Sequence, residues 1–541
     1  MAERASLRRG RARTAAITNL GCKVNQAEMD AAERLLRGSG VRLVDAHERA
    51  DVYLVNTCTV TAVADQKSRQ AVRRARRANP DAAVLVTGCS VQTGPAAFQA
   101  ADPEARLLDN RAKDRLLDEL AALLDLPPGA ELPTLSGVER EGDGESAAAI
   151  DEAGEPEMWP TLAPGRPIPG IADERTAIDR TRAYVKVQDG CSFHCTYCVI
   201  PRARGPERSL PPDVVLADVR RALAAGHREI VLTGINVGTY DGGASERGPR
   251  GSHRWAALTL AGLVRRILAE TEVERIRLSS IEPQHVDDEL LATWTGPGAG
   301  RCLPHVHLPL QSGDDGVLRR MGRRYTAEDY ADVVRRIRAA LPDAAVHADV
   351  IVGFPTEDEA ALARTADLVR RLDLAGLHVF RYSGRPGTPA VRMAGQVPEP
   401  ERKARAATLL AVAAECKARF AARSIGRQRR VLFEERVADG RWVGHAEDHV
   451  LVAVAPRPGQ ARGTPDLGGA LGVVLAERVD PERADRQLGT LLELVEPRAR
   501  PRRLPLLDDR PAVAGVPSAP SRAGAPSGGV RAPAAGADHA A

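Results

Sequence analysis

Aromatic residues are scarce in this chain of 541 residues and make up only 3% of it. An RNA contact in this protein therefore cannot depend on many aromatic stacking platforms. The chain also lacks an uninterrupted apolar run of about 18 residues, so no membrane-spanning helix is expected. Its net charge of +4 is too small to indicate a nucleic-acid partner on its own.

The first residues, Met1–Arg9, are charged and no apolar segment follows them, which argues against a secretory signal. We therefore expect a cytoplasmic protein whose eight cysteines are free thiols rather than a disulfide framework. A chain of this length also predicts several domains, each of which can bury a normal hydrophobic core.

Three of the cysteines lie close together in one loop. Cys191, Cys195 and Cys198 have the spacing C-x3-C-x2-C and follow a short apolar strand predicted at Ala183–Val187. Three thiolates can hold three irons of a cubane cluster and leave the fourth iron open, whereas a ferredoxin cluster is ligated by four cysteines. A Cys3His zinc site that includes His194 is the alternative, although structural zinc sites usually take their ligands as two separated pairs. Metal and sulfide analysis distinguishes the two.

Residues 14–125 alternate short apolar runs with helical patterns, which predicts a doubly wound α/β domain with a parallel sheet. The strands are predicted at Ala15–Thr18, Val52–Val55 and Val84–Thr87, and the helices at Gln26–Arg37 and Ala62–Ala78.

One cysteine follows each of these three strands, namely Cys22, Cys58 and Cys89. Because the carboxyl ends of parallel strands share one edge of a sheet, we expect the three thiols to converge. They predict a second iron–sulfur cluster with three cysteine ligands. Three unrelated buried thiols are the alternative, since free cysteine is often a core residue. That alternative does not explain why each cysteine follows the end of a strand.

Residues 177–424 contain six further strand–helix repeats, which predict a partial (βα)6 barrel, open on one side, with its chemistry at the carboxyl ends of the strands. The strands are predicted at Ala183–Val187, Glu229–Leu232, Arg275–Ser279, His305–Leu308, Val346–Val352 and Leu377–Tyr382. Between residues 425 and 495, short apolar strands with glycine turns predict a small β-barrel of OB-like kind.

The remaining segments show no apolar period. We expect residues 1–13 to be a flexible N-terminus, residues 126–176 a disordered acidic linker and residues 496–541 a disordered basic tail. The arginine-rich helix predicted near residues 65–79 is equally consistent with a solvated basic face and with a face that contacts phosphates.

The cysteine loop at 191–198 resembles the signature of the radical S-adenosylmethionine (SAM) enzymes. A preceding α/β domain with three cysteines makes the chain similar to the methylthiotransferases. Two segments look like parts of that family, namely Gln311–Met321 together with Arg323–Thr326, and Tyr382–Pro389. Leu20–Gln26 and Asn56–Thr61 are similar to one branch, the threonylcarbamoyladenosine tRNA methylthiotransferases. The small barrel resembles, by its position, the RNA-binding TRAM domain.

This resemblance implies an enzyme that methylthiolates C2 of N6-threonylcarbamoyladenosine next to the anticodon, using two [4Fe–4S] clusters and two molecules of SAM. It implies one cluster, which binds SAM, on Cys191, Cys195 and Cys198, and a second cluster on Cys22, Cys58 and Cys89. The implied partners are the anticodon stem-loop of tRNA and a reductant such as flavodoxin or ferredoxin, and the enzyme is expected to be a monomer. C2 is an unactivated aromatic position without an acidic proton, so a radical route suits it better than acid–base catalysis.

The resemblance also places SAM contacts in the cysteine loop and at four strand ends. These residues are Phe193, Tyr197, Thr233, Gly234, Asn236, Ser280, Glu282, Gln311 and Gly353. Ser280 and Glu282 are expected to hydrogen-bond a ribose hydroxyl, and Gly353 to permit close approach of the backbone to a ligand.

Two alternatives keep the chemistry and change the substrate to N6-isopentenyladenosine in tRNA or to an aspartate of a ribosomal protein. An RNA-binding iron–sulfur electron carrier is the alternative from a different class of protein. The three-cysteine loop argues against a carrier, because an open iron site serves ligand binding rather than simple electron transfer.

Overall fold

The computed structural model describes residues 14–110, 112–123, 181–244, 257–455 and 466–495. These residues form three modules in chain order: a parallel α/β sheet, an open array of parallel strands, and a closed β-barrel. The predicted flexible N-terminus, acidic linker and basic tail lie outside the described residues.

The first module is a five-stranded sheet in which every pairing is parallel. Its strands are β1 (Thr14–Asn19), β2 (Arg42–Leu43), β3 (Val52–Thr57), β4 (Ala83–Gly88) and β5 (Arg106–Leu108). The spatial order β2-β1-β3-β4-β5 is that of a doubly wound sheet, as the sequence predicts. β2 and β5 were not predicted, because two or three residues are too short to show an alternating pattern.

Helices cover both faces of this sheet. They are α1 (Lys23–Gly38), α2 (Ala62–Ala78), α3 (Cys89–Thr93), α4 (Pro95–Gln99) and α5 (Leu116–Leu123). α1 and α5 pack on the face that carries Leu54 and Leu85, whereas α2 and α4 pack on the face that carries Tyr53 and Val84. The alternation of strand side chains therefore supplies two separate apolar cores.

The second module contains the six parallel strands that the sequence predicts, together with a short ribbon of β7 and β8. Its strands are β6 (Arg182–Lys186), β7 (Gln188–Asp189), β8 (Arg208–Ser209), β9 (Glu229–Thr233), β10 (Arg275–Leu278), β11 (His305–His307), β12 (Ala345–Val352) and β13 (Gly376–Arg381). They form two three-stranded sheets, β6-β9-β10 and β11-β12-β13. Backbone hydrogen bonds from Leu303 to Ile276 (2.8 Å) and from Ile281 to His307 (2.9 Å) connect the two sheets.

Helices alternate with these strands and cover the outside of the array. They are α6 (Ile200–Arg204), α7 (Pro212–Ala224), α8 (Leu260–Glu270), α9 (Asp288–Thr295), α10 (Asp315–Met321), α11 (Ala327–Ala340) and α12 (Glu359–Arg371). Alternate strand residues such as Ile276 and Leu278 share one apolar core with most of these helices. Cys302 and Cys416 are buried in this core, as packing residues.

The other face of the strands encloses a polar interior, which we call the lumen. It is lined by Arg182, Glu229, Arg275, Arg277, His305, His307, Asp349 and His378. Glu229 accepts hydrogen bonds from Arg275 and Arg277, each at 2.8 Å. The central strands therefore alternate between an apolar and a charged face, and are not apolar on both faces as in most parallel sheets.

A long helix, α13 (Glu399–Ala422), packs along β13 and leads to the third module. This module is a closed five-stranded barrel of β14 (Gln428–Arg436), β15 (Trp442–His445), β16 (Leu451–Val454), β17 (Leu471–Asp480) and β18 (Arg483–Val495). Arg275 donates hydrogen bonds to the carbonyls of Arg430 (3.0 Å) and His445 (3.2 Å), so the barrel covers the amino-terminal end of the lumen. No helix in the described parts of the chain is long and apolar enough to cross a membrane.

Candidate iron–sulfur and ligand site

The three upstream cysteines lie at the carboxyl edge of the first sheet, on adjacent strands. Cys22 is the residue before α1, Cys58 follows β3 and Cys89 begins α3. Burial raises the pKa of Cys58 to about 12, and the charges of Cys89 and Cys22 add to this rise. The sheet therefore brings these three thiols within electrostatic range of one another, as their positions after the strands predict.

The loop of Cys191, Cys195 and Cys198 lies beyond β6. Gly190 starts it with a φ of +70°, and a Cβ atom there would lie 1.9 Å from the carbonyl oxygen of Pro206, so only glycine fits. The Cys191 amide donates to the Gly205 carbonyl at 3.1 Å. The loop is therefore held closely against the segment that follows it.

Two segments that resemble the methylthiotransferases fix the middle of this loop. The Thr196 amide donates to the Met321 carbonyl, and the Ala390 amide donates to the Thr196 carbonyl, both at 2.9 Å. Burial raises the pKa of Cys198 to about 12, with a smaller contribution from Cys195 and Cys191. Three thiols held on one loop are a donor set that suits a metal–thiolate cluster, and a metal that binds them displaces their protons.

The structure adds Arg323 to the site. The sequence marked this arginine only as part of a segment that resembles the family, and not as a site residue. Its Nη1 lies 3.4 Å from the Cys195 sulfur and 3.5 Å from the Tyr197 hydroxyl, and its Nη2 pairs with Glu282. Glu282, predicted to bind a ribose hydroxyl, therefore has one oxygen engaged by an arginine. Burial raises the pKa of Glu282, and the charge of Arg323 opposes that rise.

The predicted SAM contacts on β9 surround Gln188. The Gln188 Oε1 accepts from the Asn236 amide at 2.9 Å, and a Cβ on Gly234 would lie 2.8 Å from the same oxygen. Both side-chain polar atoms of Asn236 and the hydroxyl of Thr233 are buried and have no hydrogen-bond partner in the described structure. Because buried polar atoms normally have hydrogen-bond partners, these groups are suited to hydrogen-bond a polar ligand such as SAM.

The other predicted SAM contacts have different surroundings. Ser280 lies 3.1 Å from Nδ1 of His307, and Gln311 adopts a φ of +67°. The space next to Gly353 is filled by Arg402, whose Cγ would lie 2.1 Å from a Cβ on Gly353. The Cβ direction of Gly353 therefore faces a protein side chain, and the close approach of a ligand to its backbone stays a prediction.

Two aromatic residues of the cysteine loop are held by neighbouring rings. Phe193 stacks on His285, with 6.0 Å between the ring centroids, and the Arg324 guanidinium lies 5.2 Å from the Phe193 ring. Tyr197 packs edge-on against Phe354. Tyr197 is therefore part of the packing beneath the loop, whereas Phe193 is partly exposed.

The two cysteine groups share a wall formed by Asn110 and α6. Asn110 Nδ2 lies 3.5 Å from the Cys89 sulfur and 2.7 Å from the Ala203 carbonyl. The next residue, Arg204, binds Asn25, whose Oδ1 lies 3.4 Å from the Cys22 sulfur. Because α6 begins two residues after Cys198, this wall connects both groups.

A second connection involves the segment after β13. Arg385 Nη2 donates to the Thr59 hydroxyl at 2.7 Å, and the Ser383 hydroxyl accepts from the Ala62 amide at 3.2 Å. Thr59 directly follows Cys58. These contacts join one segment that resembles the methylthiotransferases to another, across two modules.

Lys23 extends from the first module to the lumen. The charges of Arg182, Arg277 and Asp349 all act on its ammonium, and Lys23 in turn acts on His305. Its side chain is nevertheless exposed, so it borders an open space. In the same lumen, His307, Asp349 and His378 place one ligand atom each within 4.8 Å of the others.

Comparisons with known proteins agree with this arrangement. Residues 14–108 match the family described as "Uncharacterized protein family UPF0004", and residues 185–369 match the "Radical SAM superfamily". The chain is 34% identical over 462 residues to the "Threonylcarbamoyladenosine tRNA methylthiotransferase MtaB" of Bacillus subtilis, covering 85% of this chain and 92% of that protein. It is 35% identical over 442 residues to the protein of that name from Thermotoga maritima, covering 81% of this chain and 90% of that protein. It is 33% identical over 469 residues to the "tRNA-2-methylthio-N(6)-dimethylallyladenosine synthase" of Maricaulis maris, covering 85% of this chain and 94% of that protein.

Proposed function

Because the chain belongs to the radical-SAM methylthiotransferase family, we propose that it methylthiolates C2 of N6-threonylcarbamoyladenosine beside the anticodon of tRNA. One observation carries the proposal: two groups of three thiols, on different modules, are connected through Asn110 and α6, which begins two residues after Cys198. The relatives that bear the threonylcarbamoyladenosine name support this choice of substrate.

The downstream cysteines, Cys191, Cys195 and Cys198, would hold the SAM-binding cluster, and Cys22, Cys58 and Cys89 the second cluster. When bound, the clusters and SAM supply the radical and sulfur chemistry that an unactivated aromatic C–H bond requires. The protein's own contribution is to fix these ligands on rigid loops and to keep the two groups close together.

Other side chains would orient SAM. The unsatisfied amide of Asn236 and hydroxyl of Thr233 are suited to its polar groups, and Gln188 holds the Asn236 backbone in place. Arg323 places a positive charge beside the Cys195 sulfur and orients Glu282. The partly exposed ring of Phe193 would contact the ligand at the mouth of the loop.

The three modules would divide the task. Residues 14–125 would carry the second cluster, residues 177–424 the radical-SAM core, and the barrel within 425–495 would bind tRNA as a TRAM-like domain, since small OB-like barrels bind oligonucleotides. The target base must also leave the stacked anticodon loop to reach the thiols. An external one-electron donor such as flavodoxin or ferredoxin would reduce the SAM-binding cluster. The enzyme itself would be a cytoplasmic monomer.

The test is anaerobic reconstitution of the protein with iron and sulfide, followed by reduction in the presence of SAM. Three substrates are compared: stem-loops that carry threonylcarbamoyladenosine, isopentenyladenosine or plain adenosine. We expect 5′-deoxyadenosine to form and the first stem-loop alone to gain a methylthio group, measured by mass spectrometry of its nucleosides.

Other outcomes select other functions. Methylthiolation of the isopentenyladenosine stem-loop alone would assign the dimethylallyladenosine activity named for the Maricaulis relative. Methylthiolation of a ribosomal-protein aspartate, with no product on any stem-loop, would assign the third substrate. Absence of 5′-deoxyadenosine under reducing conditions would favour an electron carrier.

A further inference from the structure

Lys23 lies between the second group of cysteines and the lumen. It follows Cys22 directly and is the first residue of α1, which packs against β6 at the open edge of the six-stranded array. The charges of Arg182, Arg277 and Asp349, on three different central strands, all act on its ammonium. The ammonium of Lys23 is therefore within electrostatic range of three strands that line the lumen.

The carboxylates of the lumen are already engaged by other groups. Glu229 binds Arg275 and Arg277, both at 2.8 Å. Asp349 Oδ1 lies 2.8 Å from His307 and 3.0 Å from His378. In the described structure, Lys23 makes no hydrogen bond or ion pair with any of these groups.

Arg277 also has an unused donor. Its Nε binds Glu229 and its Nη1 reaches the Glu447 carbonyl at 3.5 Å, but its Nη2 is buried without a partner among the described residues. A buried guanidinium nitrogen without an acceptor is costly, and so is the repulsion between neighbouring cations. An anionic group that entered the lumen would relieve both.

We propose that Lys23, assisted by the free Nη2 of Arg277, binds the carboxylate of the threonylcarbamoyl group, and that Lys23 selects this substrate. The inference rests on the proposed function and specifies its substrate recognition. A threonylcarbamoyl group ends in a carboxylate and a hydroxyl, whereas an isopentenyl group is a hydrocarbon that offers a cation no partner. A site in which a cation lacks an acceptor discriminates strongly against an analogue that offers none.

The position of Lys23 also suits the reaction. In adenine, C2 and the carbon that bears N6 are separated by a single ring nitrogen, N1. A residue that holds the N6 substituent therefore holds C2 nearby. Since Lys23 and Cys22 are consecutive, binding of the carboxylate by Lys23 would bring C2 towards the thiols that we propose to carry the second cluster.

The experiment measures binding of two stem-loops to the reconstituted holoenzyme by fluorescence anisotropy. One stem-loop carries threonylcarbamoyladenosine, and the other carries the same group with its carboxylate converted to the primary amide. Wild type and Lys23→Gln are compared, with Lys67→Gln, on helix α2 at the other face of the first sheet, as the matched control. Iron content equal to that of wild type verifies folding.

For wild type and Lys67→Gln we expect the acid to bind about ten- to hundredfold more tightly than the amide, the usual range for a charge-assisted contact. For Lys23→Gln we expect this preference to disappear, because the acid loses affinity and the amide does not. Lys23→Arg should restore part of the preference. The comparison of acid and amide binding to wild type needs no variant. It therefore tests recognition of the carboxylate even if a variant misfolds and loses iron.

Equal binding of acid and amide to wild type would overturn the proposal, as would a preference that survives in Lys23→Gln. If wild type nevertheless methylthiolates the threonylcarbamoyl stem-loop, only the role of Lys23 fails. Lack of methylthiolation of that stem-loop by wild type would instead overturn the proposed function.

Discussion

The guanidinium of Arg323 donates a hydrogen bond from Nη1 to the sulfur of Cys195, with 3.4 Å between the two atoms. Arg323 is buried deep enough that its charge is poorly screened, and it also pairs with Glu282. Hydrogen bonds to cluster sulfurs and nearby charge both set the reduction potential of an iron–sulfur cluster. A cation at this position favours the reduced, more negative state.

Arg323→Gln should therefore lower the reduction potential of the cluster that we propose on this loop. The expected shift is about 60 mV, which corresponds to a tenfold change in a one-electron equilibrium. A redox titration followed by electron paramagnetic resonance measures it. Arg319→Gln, at an exposed position on α10, is the matched control and should leave the potential unchanged. An unchanged reduction potential in Arg323→Gln would mean that this arginine does not influence the cluster.

Iron and sulfide counting tests whether the upstream thiols hold a cluster. The Cys22/Cys58/Cys89 triple-alanine variant should lose about half of the iron of the reconstituted wild type, because one of two similar clusters is removed. Cys302→Ala changes a cysteine buried in the apolar core and should keep all of the iron. Full iron in the triple variant would mean that the three upstream thiols are not ligands.

Glu229 is the carboxylate on which the charged interior of the central strands depends. It is fully buried and bonds Arg275 and Arg277, and these charges lower its pKa although burial alone would raise it. Glu229→Gln should lower the free energy of unfolding by about 3–5 kcal/mol, because two buried arginines lose their counter-ion. Urea denaturation measures this loss. Glu270→Gln, which removes ion pairs at the surface with Arg220 on α7 and Arg266 on α8, should leave the stability unchanged within error.

Glu28 should contribute to the acid sensitivity of the protein. Burial would raise its pKa, but Lys113, Arg204 and Lys186 together lower it to about 2, against an ordinary value of 4.5. A lowered folded-state pKa stabilises the protein above pH 4.5, and the stabilisation is lost as the pH falls towards 2. Between pH 5 and pH 3 this carboxylate should account for about 2 kcal/mol of the fall in unfolding free energy.

The corresponding measurement is urea denaturation of the apo-protein across this pH range. In Glu28→Gln the fall between pH 5 and pH 3 should be smaller than in wild type by that amount. Glu328→Gln, at an exposed position on α11, should show the wild-type slope. Identical slopes for wild type and Glu28→Gln would show that Glu28 titrates normally in the folded protein.

Local patterns were enough to find the strands and the thiols. Val52–Val55 is a continuous apolar run, and a cysteine follows it within three residues, so a strand and a ligand at its carboxyl end could both be predicted. The start of α1 was predicted three residues late, at Gln26, because the string that contains Gly21 and Cys22 also has the composition of a turn. The structure begins the helix at Lys23.

The residues that connect the modules or support the predicted SAM contacts could not be found in this way. Asn110, Arg204 and Gln188 have no periodic pattern, and each acquires its role from a partner far away in the chain. The charged lumen was missed for a related reason. In β10 the apolar Ile276 and Leu278 dominate the pattern, and the sequence does not show that the arginines between and beside them meet a buried glutamate.

The most direct test of the central claim is mass spectrometry of tRNA nucleosides from a strain that lacks this gene and has no second methylthiotransferase. The account predicts that 2-methylthio-N6-threonylcarbamoyladenosine disappears and that N6-threonylcarbamoyladenosine accumulates in its place. Wild type should restore the methylthio nucleoside, and Cys191→Ala should not. Persistence of the methylthio nucleoside in the deletion strain would contradict the account, as would loss of only the methylthiolated isopentenyl nucleoside.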